Sequence, residues 1–453
     1  MLKNYLNEKN YPTLKEKVYS ETLDNGLEVI VIPKTGYKRT FAVFATKYGS
    51  LVNRFIPYGE KEYIDVPLGI AHFLEHKMFE MPDGKDATEM FADLGLDSNA
   101  ATSYNLTAYL FSGTNNIKEG INLLLDFVQT PHFTDESIAK EQGIIDQELK
   151  MYMDNPSDNL HLGLMQNLFK YYPLRYDIGG TIESIKEINI ENITKCYNTF
   201  YHPSNMYLII VGDIDSIMET DEGSVEKLLE LVKYNQSIKK FPKILDIKKN
   251  LLVEDENVYH LSGSKKMDIM MAKAAVGVKL PFEKYGRNDS MMLQLKLKIL
   301  LDATFGPNSD AFQEMLDDDL INGNIYFDVY VDDVCGFIKV HANTNKPKKF
   351  INYVKNKLLG LNNINLTEEE FSRYKKSILG GFIKSLNSLD FIAYSYLDYI
   401  TKDSDIFDAL SLTEALTLED MKSLEKYFVK NAISDFTVLP KDELGFLENE
   451  LKK

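Results

Sequence analysis

Two stretches of this 453-residue chain, one in each half, carry the same local pattern. Residues 133–150 read FTDESIAKEQGIIDQELK and residues 366–384 read LTEEEFSRYKKSILGGFIK. Thr134 and Thr367 each precede a helical pattern with acidic residues in its first turn, so their spacing defines the offset of a repeat. Because this offset is about half the chain, it indicates duplicated domains, whereas the repeats of solenoid proteins are only about 20–50 residues long.

The duplication predicts two domains, at residues 1–230 and 231–453. Each half ends near a matching strand pattern, MYLIIVGD from Met206 and DFTVLPKD from Asp435. Between them, residues 216–249 are rich in charge and include the segment SIKKFPKILDIKK. We interpret this stretch as the end of a helix followed by an inter-domain linker.

Composition argues against several classes of function. With 51 Lys and Arg against 68 Asp and Glu, the net charge of −17 argues against broad, non-specific binding to nucleic acid or to an anionic membrane. The N-terminal sequence lacks the apolar run of a signal peptide, and no stretch approaches the ~20 apolar residues of a membrane span. We therefore expect a cytosolic protein. Cys196 and Cys335 form no CxxC pair and are expected to be inert core thiols.

The main chemical signal lies in residues 68–79, which read LGIAHFLEHKMF. On a helix, at about 100° per residue, His72, Glu75 and His76 share one face. The neighbouring residues are apolar on nearly every side, which predicts a buried helix. Buried imidazoles and a buried carboxylate need partners, and a metal ion is one. The alternative is a pair of core histidines whose partners are other protein groups.

Histidines four residues apart fit one tetrahedral zinc ion, with a carboxylate as third ligand and water in the fourth position. Zinc lowers the pKa of such a water, and a nearby glutamate can take its proton and pass it to a leaving amine. The order HxxEH is the inverted form of HExxH and is typical of inverzincins. The motif therefore indicates metal-assisted hydrolysis.

The helical pattern EQGIIDQELKMY offers two candidates for the third ligand, because Glu141 and Glu148 both fall within its apolar stripe. Seven residues separate them by about 10.5 Å along the helix, too far for both to bind one ion in the ordinary way. We expect one to bind the metal and the other to support a ligand. The helical geometry does not choose between them, and a solvated acidic face is the alternative.

These segments together resemble a known family. HFLEH at residues 72–76, EQGIIDQE at residues 141–148, the following MYMDNP, and FYHPSNMYLIIVGDI near residue 200 are similar to the insulinase/pitrilysin family of zinc metallopeptidases. The resemblance is to its half-length, mitochondrial-processing-peptidase-like branch, above all to the paired subunits of low-GC Gram-positive bacteria. It is strong from the N-terminus to about Asp215 and weaker, as a diverged repeat, beyond that point.

The resemblance implies two homologous α+β domains, α/β sandwiches of the LuxS/processing-peptidase-like metallohydrolase type. It also implies Zn²⁺ bound by His72, His76 and Glu148, with Glu75 as general base and Glu141 as a supporting carboxylate. The activity implied is that of an endopeptidase subunit acting on peptides or small unfolded polypeptides. The alternatives are a non-catalytic scaffolding subunit and a zinc hydrolase with another substrate.

In that family the substrate peptide adds to the edge of a sheet. The matching segment here, SNAATSYNLTAYLF from Ser98, reads as a strand because of its β-branched and aromatic residues. By resemblance, Asn99 and Ala100 border the scissile bond. The alternative is an interior strand whose polar residues face water.

The second half has lost the ligands. At the offset that relates Thr134 to Thr367, Glu141 and Glu148 correspond to Tyr374 and Gly381, so we expect no second metal.

In the family a second-half arginine and tyrosine, seven residues apart, reach toward the scissile carbonyl. Here Tyr326 is present, but Asp319 stands at the arginine position. We therefore predict a dimer, with a related subunit or a second copy completing the site. The alternative is that Tyr326 is a core strand residue.

Overall fold

The computed structural model describes residues 6–220, 222–243, 246–250, 252–286 and 288–441. The chain forms two compact units. The first unit consists of Met1–Leu149, Asp177–Leu251 and Ser385–Thr401, and the second of Lys150–Tyr176, Leu252–Lys384 and Lys402–Lys453. The units are therefore not the continuous halves 1–230 and 231–453, whose capacity to fold as domains stays a prediction.

The elements follow one another in an order that repeats between the halves. The first half contains β1 (Asn7–Tyr11), β2 (Glu16–Thr22), β3 (Glu28–Pro33), β4 (Thr40–Thr46), β5 (Arg54–Phe55), β6 (Ile64–Asp65), α1 (Ile70–Lys77), α2 (Ala87–Asp93), β7 (Asp97–Thr102), β8 (Thr107–Gly113), α3 (Ile117–Val128), α4 (Asp135–Asp154), α5 (Pro156–Leu168), α6 (Ile182–Lys186), α7 (Ile190–Phe200), β9 (Met206–Gly212), α8 (Ile214–Met218) and α9 (Ser224–Ser237). The second half contains β10 (Ser262–Met267), β11 (Ala272–Lys279), α10 (Asp289–Phe305), α11 (Asp310–Asp317), β12 (Ile325–Val331), β13 (Gly336–Thr344), α12 (Pro347–Gly360), α13 (Glu368–Ser385), α14 (Leu389–Ile400), α15 (Asp408–Ala415), α16 (Leu418–Lys422) and β14 (Ile433–Pro440).

Each unit is built on one mixed sheet. The first unit has the strand order β1-β2-β3-β9-β4-β8-β7, and the second has β10-β14-β11-β13-β12. The last five strands of the first sheet correspond one by one to the second sheet. In both sheets the equivalent pair, β3 with β9 and β10 with β14, is parallel. The predicted α+β fold with duplicated domains is confirmed, and α4 and α13 each begin directly after the predicted threonine.

The two halves exchange equivalent helices. Helix α5, which follows α4, packs on β10, β11 and β14 of the second unit. Helix α14, which follows α13, packs on β4 and β9 of the first unit. Every residue of β4 and β9 is buried, as their unbroken apolar sequences FAVFAT and MYLIIVG indicate for strands covered on both faces. Each sheet thus needs a helix from the other half of the chain.

The charged stretch after β9 is more ordered than the sequence suggested. Residues 224–237 form α9, a 14-residue helix with Leu228, Leu229 and Val232 buried in the first unit. The helix that the sequence predicts in this stretch thus extends to Ser237, and only the residues after it are left for the predicted linker. Cys196 and Cys335 are buried, as expected of core thiols. Within the described residues no helix combines the length and the apolar character that a membrane crossing requires.

Candidate metal centre and active site

Helix α1 is fixed in the core of the first unit by its N-terminus and its apolar side chains. Gly69, its N-cap, has φ +83°, and a Cβ built there would lie 2.2 Å from the carbonyl oxygen of Gly179. Only glycine allows both the left-handed conformation and this close approach. Phe73 and Leu74 are fully buried. The helix is thereby held in one rotation about its axis, which determines where its histidines point.

Helix α4 presents its carboxylates in the way the helical pattern predicts. Ile138, Ile145 and Leu149 are buried along one stripe. Glu141 and Glu148 lie beside that stripe, with only 13% and 22% of their side chains exposed. They do not form a solvated acidic face, so that alternative is wrong.

The structure brings His72, His76 and Glu148 together. One carboxylate oxygen of Glu148 lies 3.9 Å from Nε2 of His72, and the other lies 3.6 Å from Nε2 of His76. One potential ligand atom from each of the three lies within 4.8 Å of the others. A tetrahedral zinc with bonds of about 2.0–2.2 Å holds its ligand atoms roughly 3.4 Å apart. The three side chains therefore fit such an ion after small adjustments.

Glu141 orients the ring of His76 so that its other nitrogen faces Glu148. Nδ1 of His76 lies 2.9 Å from Oε1 of Glu141, and because an ionised carboxylate only accepts, Nδ1 carries the hydrogen. Nε2, on the side of Glu148, is therefore the nitrogen that can bind a metal ion. Burial acts to lower the pKa of His76, but the hydrogen bond and charge of Glu141, together with the charges of Glu75 and Glu148, raise it overall, so a metal ion at Nε2 has to compete with a proton.

His72 lies in a different environment. Burial, together with the adjacent His76, lowers the pKa of His72 to about 4, so the ring is neutral near pH 7. Its Nδ1 is buried, and no hydrogen-bond partner for it occurs among the described residues. A Cβ at Gly179 would lie 3.7 Å from this nitrogen, so the glycine leaves room beside the ring. A neutral imidazole is the form that binds zinc.

Glu75 lies next to these three residues but outside the ligand set. It is 7% exposed, and burial raises the pKa of its carboxyl group. Its Oε2 accepts a hydrogen bond of 2.5 Å from the hydroxyl of Thr102 on β7. No sequence pattern identifies Thr102 or Gly179, because neither belongs to a ligand motif and both come close to the site only through the tertiary fold.

The predicted substrate segment is a hairpin and not one strand. Residues 98–111 form most of β7 and β8, because Ser103 and Leu106 pair through their backbones across a tight turn. Strand β7, which carries Asn99 and Ala100, is the last strand of its sheet. The alternative of an interior strand is therefore wrong.

A cavity of about 460 Å³ opens beside this strand. Its lining includes Asn99 and Ala100 together with Glu75, His76 and Glu141. An open strand edge thus lies against the candidate metal centre within the first unit. That arrangement is suited to an extended peptide, which would pair with β7 through its main chain.

Tyr326 belongs to the second unit, on its terminal strand β12. Its side chain is 51% exposed and stacks on His341 with 5.4 Å between ring centroids, so the alternative of a core residue is wrong. Asp319 has φ +52° and lies 3.5 Å from the ammonium group of Lys346. A role for Tyr326 in substrate binding stays a prediction.

The offset between Thr134 and Thr367 does not hold throughout the repeat. It applies to α4 and α13, but the element of the second unit that corresponds in order to α1 is α10. Helix α10 begins at Asp289 and not near Ala303, where the same offset would place it. Most of this difference arises because α10, with 17 residues, is longer than α1, with 8 residues. Helix α10 contains neither histidine nor glutamate.

A duplicated α+β domain with an HxxEH helix facing a second glutamate helix is the architecture of the M16 peptidases, and sequence comparison agrees. Residues 54–182 match the family model of insulinase (peptidase family M16), and residues 187–378 match that of the peptidase M16 inactive domain. The chain belongs to the insulinase family.

Individual relatives cover nearly the whole chain. A Bacillus subtilis protein named uncharacterized zinc protease YmfH is 38% identical over 434 residues, which is 95% of this chain and 98% of that protein. The crystal structure of an M16-like peptidase from Alicyclobacillus acidocaldarius superposes with a TM-score of 0.87 at 31% identity, covering 97% and 99% of the two chains. A Helicobacter pylori protease, at a TM-score of 0.77 and 20% identity, covering 94% and 100%, shares the fold.

Proposed function

We propose that this protein is a zinc-dependent endopeptidase subunit that hydrolyses peptides or small unfolded polypeptides. The observation that carries the proposal is the convergence of His72, His76 and Glu148 on one point, with a buried carboxylate, Glu75, beside them. The family and the names of its relatives as zinc proteases support the same activity.

In this proposal each residue has a separate role. His72, His76 and Glu148 hold the zinc ion, and Glu141 orients His76 through its Nδ1 hydrogen. When bound, zinc supplies Lewis-acid polarisation of the attacking water and of the scissile carbonyl. Glu75 takes a proton from the attacking water and returns it to the leaving amine.

The substrate would lie along β7. Pairing with a strand edge uses the peptide main chain, which all sequences share, and so places few demands on the side chains. Asn99 and Ala100 would then border the scissile bond, within reach of the cavity they share with Glu75. Unstructured peptides can adopt the required extended form, whereas a folded protein first has to unfold locally.

Two mutations test the catalytic assignment. Glu148→Gln removes a ligand and is expected to strip most of the zinc, while Glu75→Gln is expected to keep about one zinc per chain and lose turnover, because only the base is removed. Metal analysis and hydrolysis of an unstructured fluorogenic peptide measure the two effects. Full zinc occupancy in the Glu148 variant would show that another residue is the third ligand.

The proposal includes a partner and a location. We propose that the subunit works in the cytosol as a dimer, with a related peptidase-like subunit or with a second copy. The dimer is motivated by Asp319, which stands at the position where the family has an arginine and cannot donate a hydrogen bond to a developing oxyanion. Peptide hydrolysis by the purified chain is expected to be weak and to rise when a related subunit is co-expressed. Full activity of the monomer would contradict this.

Asp319 also favours a second candidate function, that of a non-catalytic scaffolding subunit. A scaffolding subunit would form a stable complex with a related peptidase subunit, but Glu75→Gln would leave the activity of that complex unchanged. A loss of activity in the complex carrying Glu75→Gln would exclude this candidate.

A further inference from the structure

The carboxylate of Glu75 accepts a hydrogen bond from Thr102, a residue that belongs to no ligand or base motif. We propose that Thr102 is the positioning residue of Glu75: its hydroxyl binds one carboxylate oxygen and leaves the other directed at the attacking water. The inference rests on the proposed function, because it assigns a task to Thr102 in that reaction.

The hydroxyl group of Thr102 has one favourable hydrogen-bond acceptor. Its Oγ1 lies 2.5 Å from Oε2 of Glu75 and 3.4 Å from Oγ1 of Thr107. An ionised carboxylate is the stronger acceptor, and hydrogen bonds to it are short. Thr102 therefore donates to Glu75, and this donation holds Oε2 in place.

Thr107 reinforces that direction. Its side chain is fully buried and donates to the backbone carbonyl oxygen of Tyr48 at 2.9 Å. A hydroxyl has a single hydrogen, so Thr107 has none left to give to Thr102. Thr102 and Thr107 are directly paired residues at the end of the β7–β8 ladder, which fixes the position of both side chains. The donor that faces Glu75 is therefore held by the sheet.

The position of Thr102 on the strand connects substrate and base. Side chains two residues apart on a strand point to the same face, so Thr102 lies on the same face as Ala100, which lines the cavity. A peptide paired with β7 and the Glu75 carboxylate held by β7 would keep a constant distance and orientation relative to each other. Catalytic groups need to be held within about 0.5 Å of their productive positions, which one strand can ensure.

The test compares Thr102→Val, which keeps the shape and removes the hydroxyl, with Thr102→Ser, which keeps the hydroxyl. We expect T102V to lower kcat by roughly 10- to 100-fold with KM and zinc content nearly unchanged, the pattern of a lost transition-state interaction. T102S is expected to restore kcat to within about threefold of the wild type. Equal kcat in T102V and the wild type would overturn the proposal, as would equal losses in T102V and T102S.

A second measurement does not depend on activity. Crystal structures of the zinc-loaded T102V and T102S chains are expected to show Glu75 displaced or in several rotamers only in T102V. An unmoved Glu75 in T102V would overturn the proposal. If wild-type chain hydrolyses no peptide, with or without a related subunit, the endopeptidase proposal fails, while the crystal structures still decide the role of Thr102. If T102V does not fold, Thr102→Ala carries the same expectations.

Discussion

At the scale of single residues, the candidate centre contains two histidines in opposite electrostatic situations. His76 is hydrogen-bonded by Glu141, whereas His72 is buried and its Nδ1 has no partner among the described residues. Both end with Nε2 directed at Glu148. In the proposed site Glu141 would contribute to metal binding without touching the ion, because it orients the histidine that it contacts.

Replacing Glu141 tests that role. Glu141→Gln removes the charge that favours a hydrogen on Nδ1 of His76, and we expect zinc affinity to fall by about 10- to 100-fold, as for other groups that orient ligands. Competition with a chelator measures the affinity. Glu136→Gln, an exposed glutamate on the same helix, is the control and is expected to bind zinc like the wild type. Equal affinities in all three proteins would show that His76 needs no such support.

The buried side chain of His161 on α5 is expected to make the folding stability depend on pH. Burial lowers the pKa of His161 to about 4, and the ammonium of Lys339, 3.4 Å from its Nδ1, acts in the same direction. The carboxylate of Asp328 acts to raise the pKa of His161, and His341 acts to lower it further. Because the unfolded chain takes up a proton near pH 6.5 and the folded chain only near pH 4, stability is full above pH 6.5 and falls as the pH decreases to about 4.

The expected loss between these pH values is on the order of 2 kcal/mol, because each pKa unit corresponds to about 1.4 kcal/mol and the site is not fully closed to water. His161→Gln is expected to remove this part of the pH dependence in urea unfolding. His132→Gln serves as the control. A wild-type and a His161→Gln curve of the same slope would contradict the assignment.

At the scale of elements, the site depends on how α1 enters the core. Its first residue follows a glycine that no larger residue can replace without moving Gly179, which itself lies beside His72. The helix is short, and its position comes from packing more than from its intrinsic helical tendency. A small shift at its N-terminus would therefore be transmitted to both histidines.

A comparison of two glycines distinguishes the free-energy cost of a steric clash from that of a left-handed backbone conformation. Gly69 and Gly36 both have φ near +80°, but only a Cβ at Gly69 meets other atoms, the nearest at 2.2 Å, whereas a Cβ at Gly36 meets nothing within 4 Å. We expect Gly36→Ala to cost about 1 kcal/mol and Gly69→Ala about 3 kcal/mol or more, with weaker zinc binding in Gly69→Ala alone. Urea unfolding and chelator competition measure both. Equal effects at the two sites would refute the steric argument.

At the scale of the whole molecule, the exchange of α5 and α14 ties the two halves together. Residues 150–176 belong to the second unit and residues 385–401 to the first, so each unit contains a segment from the other half. A cut in the connection therefore does not produce two complete units. A fragment that stops at residue 230 lacks α14, which covers β4 and β9.

Limited proteolysis tests this organisation. We expect trypsin to cut first after the exposed Lys243 or Lys248, because α9 protects the chain up to Ser237. The two fragments are expected to elute together from a gel-filtration column and to separate only in denaturant, because each unit needs segments from both. A first cut inside residues 60–150, or fragments that separate without denaturant, would contradict the prediction.

Features that follow from local geometry could be predicted from the amino-acid sequence alone. The placement of His72, Glu75 and His76 on one helix face, and of Glu141 and Glu148 beside an apolar stripe, depends only on about 100° of rotation per residue. Helical periodicity did not show that Glu148 faces both histidines while Glu141 bonds to one. Nor did it show that Thr102 reaches Glu75, or that α5 and α14 each pack on the sheet formed mainly by the other half of the chain. These features depend on packing between segments far apart in the chain, which periodicity within one segment does not record.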